Sequence, residues 1–258
     1  MRIEFYKYQG TGNDFILVDN RRNTFPKKDA DLIAKLCDRR FGIGADGLIL
    51  LENDKMSDFK MIYFNADGGE STMCGNGGRC LVAFAKHLGI IGTATSFRAI
   101  DGLHTAYIEG NTVRLKMSDV PEIKEKVSYS FLNTGSPHHV QLVKNLDTMD
   151  VKVEGAKLRY GLYGKLGSNI NFVSQSNGTT FEVRTYERGV ENETLSCGTG
   201  VTAVALAMHS LGKTQSDDIK IKTRGGALNV TFEIENGKYH HIFLTGSAAQ
   251  VFKGIWEQ

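Results

Sequence analysis

At 258 residues and 41% hydrophobic content, the chain can fill one large core or two smaller ones. With 31 Lys and Arg against 29 Asp and Glu the net charge is +2, so no basic excess argues for nucleic acid or an anionic membrane as a partner. No run of about 18 apolar residues offers a membrane span, and the charged start Met1-Arg2-Ile3-Glu4-Phe5 lacks the apolar core of a signal peptide, so a cytoplasmic location is expected.

Residues 3–8 and 15–19 read as strands, with Gly10-Thr11-Gly12-Asn13-Asp14 as the turn between them. Residues 29–40 carry Leu32, Ile33, Leu36 and Cys37 at helical spacing, which gives Cys37 a structural place. The glycine-rich loop 41–47 leads to a strand at 48–51. It is either punctuation or a lid that closes on a ligand. A strand at 59–65 precedes the loop Asn65-Ala66-Asp67-Gly68-Gly69-Glu70, and a helix follows Cys74. Strands come next at 94–100, 103–109 and 112–117, the last two joined by the turn Gly110-Asn111. A boundary falls near Ser118-Asp119-Val120-Pro121. The charged segment 122–126 reads as solvated surface. Residues 145–167 are polar and irregular and give no element. A strand at 181–186 ends in Glu187-Arg188-Gly189, and a helix follows Cys197. Strands at 219–223, 228–234 and 240–244 close the chain, with Asn236-Gly237 as a hairpin turn.

The second half thus repeats the order of the first. Cys74-Gly75-Asn76-Gly77 and Cys197-Gly198-Thr199-Gly200 each put Cys-Gly-polar-Gly before a helix of small residues, 123 residues apart. The expected fold is α/β of the α+β type. It has two pseudo-symmetric lobes, 1–118 carrying Cys74 and 119–258 carrying Cys197. Each is a mostly antiparallel sheet curled around a central helix, with roughly the last ten residues able to pack back on the first lobe.

A cysteine before a helix is, taken alone, most often a small buried hydrophobe. The repetition points to chemistry, because packing does not require one four-residue pattern in both halves. A glycine-rich turn leaves the first helical N–H groups open, and the helix dipole adds positive potential there. Such a tip binds a carboxylate and stabilises a thiolate. Two such thiols facing one carbon could invert it, one removing a proton and the other returning one to the opposite face. Four cysteines in a chain this long form no disulfide framework, and no C-x-x-C spacing supports a metal site. No phosphate loop, nicotinamide fingerprint or Schiff-base lysine stands out, so no cofactor is expected.

Seven motifs extend the pattern: Gly10-Thr11-Gly12-Asn13-Asp14-Phe15, Gly42-Ile43-Gly44-Ala45-Asp46-Gly47, Phe64-Asn65-Ala66-Asp67-Gly68 running on to Cys74-Gly75-Asn76-Gly77, Gly135-Ser136-Pro137-His138, Asn169-Ile170-Asn171-Phe172, Tyr186-Glu187-Arg188-Gly189 and Cys197-Gly198-Thr199-Gly200. In order and spacing they resemble the diaminopimelate epimerases over the whole chain. The resemblance implies a cofactor-independent isomerase of lysine and peptidoglycan precursor biosynthesis. It would interconvert LL- and meso-2,6-diaminopimelate in a cleft between two lobes, commonly as a homodimer. On that resemblance Cys74 and Cys197 are the catalytic pair, supported by His138 and Glu187. Gly75, Asn76, Gly198 and Thr199 clamp the reacting carboxylate. Asn13, Asn65, Asn169, Glu187 and Arg188 hold the substrate, with Asn171 the alternative to Asn169. The chain departs from the family pattern at Ser136, where Asn is common, at Gly69, where Ser is common, and at Phe252, where some members have a Tyr linked to dimer contact.

The residue types suit these roles. Arg188 can grip a carboxylate with paired hydrogen bonds, and asparagine amides both donate and accept. Two other readings compete. One is a proline or hydroxyproline racemase of the same fold, against which Arg188, Asn13, Asn65 and Asn169 argue by offering a second polar end. The other is a protein that binds amino acids without turning them over. Phenazine-type isomerases lack the cysteine pair, so Cys74 and Cys197 argue against that branch.

Overall fold

Leu48-Ile49-Leu50-Leu51 is buried on both faces of its strand, the mark of a strand with a layer on either side. A computed structural model describes residues 1–257, and the chain forms two units: Met1–Leu115 with the segment from Gly246 onward, and Lys116–Thr245.

The first unit contains β1 (Arg2–Gly10), β2 (Asn13–Asp19), α1 (Ala30–Cys37), β3 (Gly47–Glu52), β4 (Phe59–Asn65), the two-residue β5 (Glu70–Ser71), α2 (Gly75–His87), β6 (Ala94–Ala99), β7 (Gly102–Glu109) and β8 (Thr112–Lys116). Neighbours in its sheet run β1-β2-β3-β4-β6-β7-β8. Only β2–β3 and β4–β6 are parallel, each needing a helical crossover, α1 and α2 respectively. Ten of the thirteen residues of α2 are buried, so it has no solvent face. It packs against β1, β2, β3, β4 and β7, and the sheet curls around it. A Cβ on Gly77 would sit 3.0 Å from Ile49 and 3.5 Å from Phe15, which shows how closely α2 lies on the strands. On the outer face Leu32, Ile33 and Leu36 of α1 cover Ile16, Val18, Leu48 and Leu50.

The second unit contains β9 (Ile123–Glu125), β10 (Ser130–Asn133), β11 (Pro137–Leu142), α3 (Val151–Tyr163), β12 (Asn169–Asn177), β13 (Thr180–Glu187), β14 (Asn192–Thr194), α4 (Gly198–Ser210), β15 (Asp218–Thr223), β16 (Gly226–Glu235) and β17 (Lys238–Ser247). Its order β9-β10-β11-β12-β13-β15-β16-β17 has the same two parallel steps, β11–β12 and β13–β15. The bridge Val120↔Tyr239 joins β17 to the segment leading into β9 and closes the sheet around α4, which is also buried at ten of thirteen positions.

The last strand, β18 (Ala249–Glu257), pairs antiparallel with β1 from Arg2↔Glu257 to Gln9↔Ala249, with a bulge at Lys7 and Tyr8. It stands to β1 as β9 stands to β10, so the end of the chain completes the first repeat. The polar stretch 145–167, unassigned in sequence, contains α3, capped by Asp150, which accepts from Val153 N at 3.0 Å. Its buried stripe is Val151, Gly155 and Arg159, which no hydrophobic periodicity detects. The solvated segment 122–126 includes the short strand β9, whose residues are exposed or partly so. No helix is long and apolar enough to cross a membrane among the described residues.

Candidate active site

Cys74 occupies the N-cap of α2 in extended backbone (φ −95°, ψ 128°), and its side chain makes no cap bond. Its Sγ lies 3.7 Å from Asn13 Oδ1. Asn76 Nδ2 donates to the same oxygen at 3.2 Å, and Asn76 Oδ1 accepts from Arg79 Nη2 at 2.9 Å. Asn13 Nδ2 in turn donates to Asp46 Oδ2. Arg79 can only donate and an ionised Asp46 can only accept, so these two ends fix both amide orientations between them. Asn13 therefore presents an acceptor to Cys74. Thr11, a β-branched residue at φ +52°, accepts from Arg79 Nη2 at 3.2 Å, a bond that helps to hold the strained turn beside Asn13. Asn65 is exposed at the end of β4, opposite Gly47.

The loop 41–47 is neither bare punctuation nor a loose lid. Ile43 N and Gly44 N both donate to Leu36 O, Ala45 N donates to Cys37 O, and Lys7 Nζ bonds Gly44 O. A Cβ at Gly42 would lie 2.0 Å from Lys35 O. The loop is thus wrapped onto the end of α1, and it holds Asp46 in place. Arg39 bridges Asp46 and Asp14 at 2.8 and 2.6 Å, and Lys7 meets Asp14 at 2.8 Å. Burial works against the ionised Asp14, but the hydrogen bonds and charges of Arg39 and Lys7 prevail and hold it down at about 2.

In the second unit Cys197 takes the same N-cap position on α4 (φ −126°, ψ 110°), with Sγ 3.5 Å from Thr199 Oγ1. Thr134 Oγ1 donates to Thr199 O at 2.9 Å and pins the turn. His138 is fully buried, and Asn171 Nδ2 lies 3.2 Å from its Nδ1. Asn171 is committed on every side: Nδ2 also donates to His139 O at 2.9 Å, and Oδ1 accepts from Thr185 Oγ1 at 3.0 Å. His138 Nδ1 is therefore an acceptor and the proton sits on Nε2, which has no partner among the described residues. Burial, with the charge of Arg188 adding to it, pushes His138 down to about 3, so the ring is neutral.

Asn169, the first of the two candidate asparagines, stands in a different cluster. Its Nδ2 donates to Ser136 Oγ at 3.0 Å and Pro137 O at 3.2 Å, and its Oδ1 accepts from Arg188 N at 2.9 Å. Arg188 Nη2 lies 3.4 Å from Ser136 Oγ, and Nη1 donates to Leu166 O at 3.1 Å. Ser136, Asn169 and Arg188 therefore form one polar group, whereas Asn171 is interior. Glu187, next to Arg188, accepts from Thr194 Oγ1 at 2.9 Å.

Sequence reading missed Asp46 and Arg79 as members of these networks and offered Asn171 only as the alternative to Asn169. The available signal for Arg79 was a charge inside a helix otherwise made of small and apolar residues. The strand registers also match the repeats position by position: Phe15 with His138, Gly47 with Asn169, Ile49 with Asn171, and on the helices Gly77 with Gly200 and Arg79 with Thr202. The two cysteines thus share a backbone frame but not polar surroundings.

The diaminopimelate epimerase family profile matches residues 5–119 and 130–251. The diaminopimelate epimerase of Flavobacterium psychrophilum is 62% identical over 253 residues, covering 97% of this chain and 99% of that protein. That of Chlorobaculum tepidum is 43% identical over 256 residues, covering 95% and 98%. Among solved structures, a phenazine biosynthesis protein of the PhzF family from Bacillus anthracis superposes with a TM-score of 0.79 at 15% identity, covering 100% of both chains. A hydroxyproline epimerase from Agrobacterium vitis gives 0.73 at 15% identity, covering 98% of this chain and 92% of that one. At such identities the solved structures establish the shared fold of curled α/β repeats. Two cysteine-bearing helix tips, each at the head of its own repeat, and close sequence relatives along nearly the full chain lead to one assignment: the chain belongs to the diaminopimelate epimerase family.

Proposed function

We propose that the protein interconverts LL- and meso-2,6-diaminopimelate by two-base proton transfer at the α-carbon, without a cofactor. The observation that carries this reading is the pair of Cys-Gly-polar-Gly helix tips. The open N–H groups around Gly75-Asn76 and Gly198-Thr199 suit the carboxylate next to the reacting carbon and the charge that develops on it. One cysteine, as thiolate, removes the α-proton, and the other, as thiol, delivers a proton to the opposite face. The roles exchange for the reverse direction. The Ser136, Asn169 and Arg188 group, with Asn13 and Asn65, is suited to the distal amino acid end, which proline lacks. His138 and Glu187 support the Cys197 side. The protein works in the cytoplasm as a homodimer on this reading, and Val251, Phe252 and Ile255, exposed on β18, are the apolar surface that favours association.

The test is incubation with LL-diaminopimelate in heavy water, with proline and hydroxyproline alongside. Deuterium at the α-carbon and conversion to the meso isomer support the proposal. Exchange confined to proline or hydroxyproline assigns a racemase instead. Binding of diaminopimelate without exchange makes the protein an amino-acid binder and overturns the proposal.

A further inference from the structure

With Arg188 read as a substrate ligand, as proposed above, we infer that Arg159 and Glu191 are its positioning residues: one ion pair holds both the backbone and the guanidinium of Arg188, and so sets how tightly the far carboxylate is gripped. Glu187 and Asn192 pair across the hairpin of β13 and β14, and Arg188 opens the turn between them. Glu191 closes that turn, and its N–H donates to Glu187 O at 2.8 Å. It does so at φ +55°, a left-handed conformation that is strained for a residue with a side chain. Such a conformation persists only where its surroundings over-determine it.

The Glu191 carboxylate supplies those surroundings. Its Oε1 accepts from Gly189 N at 3.2 Å and meets Arg159 Nε and Nη2 at 3.3 Å each. Its Oε2 accepts from the Tyr186 hydroxyl at 3.0 Å and the Tyr160 hydroxyl at 3.3 Å. Burial works against the ionised form, but the Gly189 N–H, the Tyr186 hydroxyl and the charge of Arg159 prevail and hold Glu191 below its ordinary range. Tyr186 and Gly189 lie on either side of Arg188 in the chain, so this one carboxylate ties down the turn before and after it. The Arg188 N–H itself donates to Asn169 Oδ1 at 2.9 Å.

The second arm starts from the same guanidinium. Arg159 is buried on α3, and its Nη1 donates to Gly164 O at 2.6 Å. The chain then wraps round it. Gly167, at φ +67°, comes so near that a Cβ there would lie 2.4 Å from Arg159 Cζ. Between these two glycines lies Leu166, whose carbonyl accepts from Arg188 Nη1 at 3.1 Å. The Leu166 residue is 86% exposed, so apolar packing does not place this loop. The bonds of Gly164 O to Arg159 and of Gly167 N to Tyr163 O do. An arginine fixed in this way before substrate arrives loses less freedom on binding. The carboxylate it would grip is unchanged by inversion at the other end of the substrate. Its grip is therefore equal in the ground and transition states, and loosening it raises KM and spares kcat.

The experiment is steady-state kinetics on LL-diaminopimelate with the full chain, alongside urea unfolding. Glu191→Gly is the main variant, because glycine accepts φ +55° and only the carboxylate is lost. Its KM is expected to rise about fivefold or more, with kcat within about threefold of native. Arg159→Lys keeps a cation for Glu191, but an ammonium cannot span Glu191 and Gly164 O as the guanidinium fork does. Its KM should fall between those of the native protein and Glu191→Gly. A lowered urea midpoint with KM within about twofold of native would make the pair purely structural and overturns the inference, as does a loss of kcat with KM kept. If Glu191→Gly does not fold, Arg159→Lys decides, and a native KM there overturns the inference. A native protein without turnover sinks the function proposed above instead. Amide hydrogen exchange over residues 187–191, read without substrate, then decides on the brace: faster exchange in the variants supports it, and unchanged exchange overturns it.

Discussion

A Cβ on Gly200 would lie 2.5 Å from Oδ1 of Asn171. The helix that carries Cys197 can approach β12 this closely because residue 200 has no side chain. Asn171 is the residue that fixes the buried His138 ring. Gly200→Ala is therefore expected to displace the Asn171 amide and cost about 1–3 kcal/mol of stability, as overpacking does. Turnover per folded molecule should also fall, because His138 loses its fixed tautomer. Urea unfolding and an activity assay on the same preparation check both effects. Gly178→Ala is the control: its Cβ meets nothing within 4 Å, so stability should stay within about 0.5 kcal/mol.

His138 gives a pH prediction with a definite sign. Its ordinary value is 6.5 and burial brings it to about 3. The folded protein thus refuses a proton that the unfolded chain accepts between those values. Stability from this group is complete above about 6.5 and is lost as pH falls toward 3. His138→Gln lacks that loss, so the stability advantage of the native protein over the variant should shrink steadily from pH 7 to pH 4. His139 is also pushed down by burial, but it is present in both proteins and cancels in the difference. Urea midpoints at three pH values suffice. A constant difference would mean that His138 already titrates like an open imidazole.

The cysteines should behave as one unit. Cys74→Ala or Cys197→Ala alone is expected to remove about 10²–10⁴-fold or more of the epimerisation rate, the usual share of a positioned acid or base. The double variant should be no slower than the worse single variant, because a proton taken with nothing to return it completes no inversion. Rates that multiply across the double variant would show two sulfurs acting independently.

Local signals in the sequence were read correctly where local physics decides. Asn236-Gly237 turns between β16 and β17 with φ of 51° and 74°, both in the left-handed region that this pair tolerates. Both Cys-Gly-polar-Gly segments head helices, and Leu32, Ile33 and Leu36 form the buried face of α1. Other features were invisible because their partners are distant in the chain. Asn13 meets Asp46 across 33 positions, and Asn171 meets His138 across the same number. Hydrophobic periodicity registers apolar burial and is silent on a polar group that is buried because a neighbouring strand satisfies it. Arg79 was hidden too, because its acceptors are Gly75 O and Asn76 Oδ1 of its own helix and Thr11 Oγ1 of the turn after β1, none of them apolar. The short strands β9, β10 and β11 escaped because three to six residues carry too little alternation to stand out.

The helix α3 turns the same lesson into a measurement. Its buried stripe contains a glycine where periodicity looks for an apolar side chain, and the packing explains why. A Cβ on Gly155 would lie 2.4 Å from the Tyr186 Cβ and 2.5 Å from its Cγ. Gly161, on the same helix, has nothing within 4 Å of the equivalent point. Glycine to alanine in a helix interior gains about 1 kcal/mol from propensity alone. At Gly161 nothing opposes that gain, so Gly161→Ala should stabilise by up to that amount. At Gly155 the overpacking cost of about 1–3 kcal/mol against a buried ring outweighs it, so Gly155→Ala should destabilise. The same substitution is thus expected to move the urea midpoint in opposite directions at two sites six residues apart. A gain at both sites would mean that α3 does not rest on Tyr186.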